Sequence, residues 1–130
     1  MIALDTNVIV RLLTNDDAQQ ARVAAALVTE SQVYLTKTVL LETVWVLSYA
    51  YDLDRTAILD ALRRLLGLPN LVTEEATTVR QALAWYEAGA DFADALHVAS
   101  AIRSSGFATF DRKLVNRLGP LVSLAFHLLQ

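Results

Sequence analysis

Short runs of apolar and β-branched residues alternate along this chain with stretches of helical length, and that alternation limits the possible folds more than any other feature. Residues 2–5 read as a buried strand, followed by strands at 33–36, 70–73, 107–110 and 121–125. Between them the periodicity predicts helices over 7–13, 16–30, 39–51, 55–66, 75–87, 92–104 and 112–118. Chemistry marks several ends: Asp16 and Asp17 suit an N-terminal turn, Asp54 suits a cap, and Gly67, Gly89 and Gly106 suit helix stops. Strands separated by helices are joined by crossovers and so run parallel. The expected class is α/β, a three-layer α/β/α sandwich with a mainly parallel central sheet. With 130 residues and no internal repeat or long linker, the chain reads as a single domain, 1–130.

Composition removes whole classes of chemistry. The chain has no cysteine, so disulfide frameworks, thiolate zinc sites and cysteine nucleophiles are excluded, and any metal must sit on oxygen or imidazole. The formal net charge of −3, from 11 Lys and Arg against 14 Asp and Glu, argues against general adhesion to nucleic acid. It does not argue against a local site. If four acids surround a cation, the remaining balance is 11 basic against 10 acidic groups. Hydrophobic residues make up 55% of the chain, above the roughly 45–50% of ordinary soluble domains. The surplus is expected to cover an interface, in a homodimer or with a permanent partner. Apolar runs such as 38–47 are broken by Glu42 and fall short of the roughly 20 residues a membrane span needs. Met1 leads into the first strand without a basic segment or a small-residue cleavage site, so a cytoplasmic location is expected.

In open α/β sheets ligands bind beyond the carboxyl ends of the strands. Asp5 follows the first predicted strand and Asp111 the fourth. Each also precedes a helix, where an aspartate caps for ordinary hydrogen-bonding reasons. Asp91 and Asp94 flank the start of the 92–104 helix with the spacing of a capping box. Glu42 is different, since it lies in mid-helix with Thr38, Val39, Trp45 and Val46 as its neighbours at i±3 and i±4. A carboxylate on an apolar stripe calls for a proton, a paired base or a cation. Brought together, Asp5, Glu42, Asp94 and Asp111 would form an oxygen-only cluster whose mutual repulsion a hard cation relieves, Mg²⁺ or Mn²⁺ being the natural choices. Such an ion beside a phosphodiester equips a site for hydrolysis.

Four segments carry a resemblance, in this order: Leu4-Asp5-Thr6-Asn7-Val8-Ile9-Val10-Arg11, Leu41-Glu42-Thr43-Val44-Trp45-Val46-Leu47, Asp91-Phe92-Ala93-Asp94-Ala95-Leu96-His97 and Thr109-Phe110-Asp111-Arg112-Lys113-Leu114. On these segments the chain resembles the PIN-domain family, and within it the VapC-type ribonuclease toxins of toxin–antitoxin pairs. The resemblance implies a Mg²⁺-dependent endoribonuclease acting on structured RNA such as tRNA and leaving a 5′-phosphate and a 3′-hydroxyl. It implies that Asp5 and Asp94 chiefly ligate the metal, that Glu42 and Asp111 complete the catalytic pocket, and that Thr6, Asn7 and Thr109 orient carboxylates or waters. It also implies an antitoxin that wraps the toxin and places a basic side chain in the pocket. Many relatives carry a further acid just past the position of Asp111, where this chain has Lys113 and Leu114, and the number of metal ions stays open. A housekeeping PIN nuclease and a non-catalytic binding module remain as alternatives. A receiver-like phosphoacceptor is disfavoured, because Asp5-Thr6-Asn7 offers no adjacent acid.

The remaining chemistry-bearing residues read more plainly. Asp91 is expected to cap, and His97, three residues beyond Asp94, to play a supporting part. His127 lies in an apolar tail with no evident partner. Arg112 and Lys113 beside Asp111 suit RNA phosphates or a solvated face, and Arg63-Arg64 a solvated face. Trp45, Trp85 and Tyr86 are expected to pack in the core or an interface rather than stack on bases.

Overall fold

A computed structural model describes residues 1–130, which divide into two compact units, Met1–Ala76 and Thr77–Gln130. The first holds β1 (Ile2–Ala3), α1 (Thr6–Leu13), α2 (Ala18–Glu30), β2 (Val33–Leu35), α3 (Lys37–Tyr49), α4 (Arg55–Leu66) and β3 (Leu71–Thr73). Its strands pair in parallel in the order β1-β2-β3, with Ile2 opposite Val33 and Val33 opposite Leu71. The central strand β2 buries Val33 and Leu35 completely, as a strand covered on both faces must. Ile9, Leu40, Leu47, Ile58, Leu62 and Leu65 bring the buried faces of the helices into the same core. Asp54 caps α4 as expected, accepting from the Ala57 amide at 2.9 Å, whereas α2 starts at 18 rather than 16 because Asp17 is its cap, accepting from the Gln20 amide at 3.0 Å. Helix α3 is anchored at its start by the Thr36 hydroxyl, which accepts from the Val39 amide at 3.3 Å, and by Glu74, whose Oε1 accepts from the Lys37 amide at 2.8 Å.

The second unit takes in nearly all of α5 (Ala76–Glu87), then α6 (Phe92–Ser100), β4 (Phe107–Thr109), α7 (Arg112–Leu118) and β5 (Phe126–Leu128). β4 and β5 pair in parallel, Phe107 opposite Phe126. Val79, Leu83, Trp85, Tyr86, Phe92, Leu96, Val98 and Leu118 form the core of this unit, with Tyr86 edge-on to Phe92 at a centroid distance of 5.5 Å. The turn between α5 and α6 passes through Gly89 at φ +113°, a conformation that a side chain would strain.

The α/β class, the parallel pairing and the seven helices are as the sequence implied, and the strands pair as a ladder of three and a ladder of two. The last strand is not at 121–125 but at Phe126–Leu128. Both stretches are apolar, and the choice between them is made by β4: the Phe107 amide donates to the Ala125 carbonyl and the Leu129 amide to the Thr109 carbonyl, each at 2.8 Å. Helix α6 stops at Ser100 rather than 104, where the Ser104 hydroxyl donates to the Ala101 carbonyl at 2.6 Å and closes a turn instead. Helix α3 starts and stops two residues earlier than expected, because Thr36 is the cap. No helix is long and apolar enough to cross a membrane.

Candidate active site

In the first unit, Asp5 stands past the end of β1 as the N-cap of α1, with an extended backbone at φ −83° and ψ 160°. Its Oδ1 accepts from the Thr6 amide at 2.8 Å. A carboxylate has about four lone-pair sites, so the cap leaves this exposed group free to take other donors or a cation. Thr6 is buried, and its hydroxyl donates to Glu42 Oε1. That bond links the first motif to the second across 36 residues of sequence. Asn7 is exposed on α1 and lines a groove between α1 and α2.

Glu42 is itself exposed, which corrects the expectation of a carboxylate set in an apolar stripe. Helix α3 is apolar nearly all round, so periodicity could not identify its buried face. That face is Leu40, Thr43, Val44 and Leu47. The neighbours of Glu42 lie off it: Thr38 is exposed, Val39 and Val46 are half-buried, and Trp45 is 61% exposed. Trp45 therefore does not join the core, whereas Trp85 and Tyr86 do.

In the second unit, Asp91 caps α6, its Oδ2 accepting from the Asp94 amide at 3.1 Å. Asp111 caps α7, its Oδ1 accepting from the Leu114 amide at 3.1 Å. Thr109 fixes the turn that presents Asp111, its hydroxyl accepting from the Asp111 amide at 2.9 Å. Asp94, one residue triplet into α6, is half-buried. Burial pushes its carboxyl above the ordinary aspartate range, the negative charges of Asp91 and Asp111 add to the shift, and His97 opposes it. No group of three or more acidic or imidazole side chains stands ready-made as a metal site. The available donors are all hard oxygens, which fit Mg²⁺ or Mn²⁺ and would not suit a soft ion.

The sequence profile of the PIN domain matches residues 2–118. The chain is a member of the PIN-domain family. PIN domains are typically metal-dependent nucleases, and the four segments singled out above all fall inside the matched region. No curated protein matches this PIN domain. Among solved structures it is similar to the Mycobacterium tuberculosis toxin VapC20, described as cleaving the sarcin-ricin loop. The identity is 24%, 89% of this chain and 94% of that one are covered, and the TM-score is 0.40.

Proposed function

We propose that this PIN domain is a Mg²⁺-dependent endoribonuclease and the toxin of a toxin–antitoxin pair, with Asp5, Glu42, Asp94 and Asp111 as metal-binding and catalytic carboxylates. The observation that carries the reading is the bond from the buried Thr6 hydroxyl to Glu42. It holds an exposed carboxylate by one oxygen and leaves the other for chemistry. The Asp94 carboxyl, raised by burial and further by the charges of Asp91 and Asp111, supports the same reading, since a cation would relieve that repulsion.

A divalent ion, when bound, stabilises negative charge on the phosphate and acidifies water. The chain's own residues do the rest. Glu42 accepts the proton of the attacking water, and Thr6 fixes the position from which it does so. Thr109 holds the Asp111 turn in place through the backbone amide of that residue, and Asn7 orients a carboxylate or water at the start of α1. Water attacks phosphorus in line, a new P–O bond forms, and the bond to the 3′ oxygen breaks. The products are a 5′-phosphate and a 3′-hydroxyl that has taken up a proton. Structured RNA with an unpaired loop, such as tRNA, is the substrate class, because the unstacked bases and backbone of a loop are the parts of RNA that side chains can reach.

The partner we propose is an antitoxin. The groove between α1 and α2, about 580 Å³, supports it with an apolar floor of Val8, Val23, Ala24 and Leu27 and a polar rim including Arg11 and Gln20. Homodimerisation, a cytoplasmic location and a single domain over 1–130 belong to the same proposal. The family match supports the last of these by running through the boundary between the two compact units.

The test is expression of the chain and of Asp5→Asn, with Mg²⁺- or Mn²⁺-dependent cleavage of total RNA read by end-mapping. Discrete cuts made only by the unmutated chain are expected. Intact RNA with folded protein and Mn²⁺ present would replace this reading with a binding module whose acids only cap helices.

A further inference from the structure

The exposed positions of α3 fall on one line. Thr38, Glu42, Trp45 and Tyr49 are all exposed at spacings of four, three and four residues. Such spacings place side chains one above another on a single face. The two aromatics are 61% and 74% exposed, and their rings pack against each other at a centroid distance of 5.3 Å and a tilt of 38°. An exposed aromatic pair running directly off a candidate catalytic carboxylate is a feature that core packing does not explain.

We propose that Trp45 and Tyr49 form a stacking platform for an unpaired base of the RNA, next to the nucleotide whose phosphate is cut. The inference rests on the ribonuclease reading above and adds to it a subsite for a base of the unpaired segment. Three observations favour a base as the occupant. The platform continues from Glu42 along the same helical face, with Trp45 one turn away and Tyr49 two. No basic side chain stands among the exposed positions of the helix, which are Thr38, Glu42, Trp45 and Tyr49, so this face offers a neutral, flat group two rings and offers a phosphate no cationic side chain. Two aromatic side chains also offer at most about 500 Å², short of the roughly 800 Å² per partner of a stable protein interface, and polar groups border them along the helix. Stacking is tolerant of base identity, since every base has a π face.

Trp85 is buried and Trp45 exposed, so quenching of intrinsic fluorescence by RNA reports on Trp45. The probe is an unstructured ten-nucleotide oligouridylate, titrated into the full chain in EDTA so that nothing is cleaved, with binding also read by anisotropy. The expected result is quenching on binding, about fivefold or greater loss of affinity in Trp45→Ala, and near-complete recovery in Trp45→Phe, which keeps a ring. The salt dependence of binding should not change in Trp45→Ala, because stacking releases no counterions. Absence of binding by the unmutated chain, or equal affinity in Trp45→Ala, overturns the proposal. So does a dimer in sedimentation that Trp45→Ala converts to monomer, since the face would then belong to a second copy. The nuclease reading is judged separately by metal-dependent cuts that vanish in Asp5→Asn, so RNA cleaved with no role for Trp45 sinks only the platform.

Discussion

Replacing Thr6 by valine removes one hydroxyl and conserves volume, and the surroundings of that hydroxyl set the size of the response. Thr6 is 4% exposed and donates to Glu42 Oε1. Hydrogen bonds to charged groups contribute about 1.5–3 kcal/mol when both partners are shielded. Here the acceptor is exposed, so water takes the place of the lost donor and no carboxylate is stranded out of solvent. The stability loss should therefore fall below that range, at about 1 kcal/mol, which for a chain of this length lowers Tm by about 3–5 °C. Activity should fall further. A positioned general base contributes about 10²–10⁴-fold, and an untethered Glu42 forfeits part of that, so cleavage should drop by about tenfold to a hundredfold. Thr6→Ser keeps the donor and should retain most activity. The assay is single-turnover cleavage of the mapped RNA, with thermal melts of the same preparations. Wild-type cleavage by a folded Thr6→Val protein would show that the bond braces α1 against α3 and does not position a base.

Three further outcomes are expected. Because burial and like charges raise the Asp94 carboxyl, the native state binds more protons than the unfolded one between the ordinary and the raised value, so Asp94 costs stability as pH rises through that window. Asp94→Asn should therefore raise Tm at neutral pH, with the gain vanishing below about pH 4, the ordinary aspartate range, while metal-dependent cleavage is lost. Gly89→Ala places a methyl 2.9 Å from the Arg117 guanidinium at φ +113°, and a cost of about 1–3 kcal/mol should appear in urea titrations. Leu47→Ala empties a fully buried position on α3 and should cost about 2–5 kcal/mol, a large share of the roughly 5–15 kcal/mol that keeps a domain folded, seen as a shift of the urea midpoint at constant slope.

Most of the helices and the parallel pairing could be read from periodicity and caps, because those signals are local. Asp54, Asp91 and Asp111 cap where their positions said they would, while Asp17, expected inside the first turn of its helix, caps it instead. The candidate site residues were visible as motifs, and two of the four acids, Asp5 and Asp111, are also caps, so one residue type at one position answers to two chemistries. The errors have a common cause. Glu42 and Trp45 sit on a helix so uniformly apolar that its sequence does not distinguish inside from outside. The final strand was misplaced within an apolar tail for the same reason.

By itself, then, the sequence determined what each segment can do locally: helix or strand, capped or not, acidic or inert, and membership of a family through motifs in order. The tertiary structure alone decided which face of α3 meets solvent, that the Thr6 hydroxyl finds Glu42, that Asp94 is half-buried, and that β4 pairs with 126–128. Propensity and capping act over a few residues, while burial and strand pairing depend on partners tens of residues away that no local window contains.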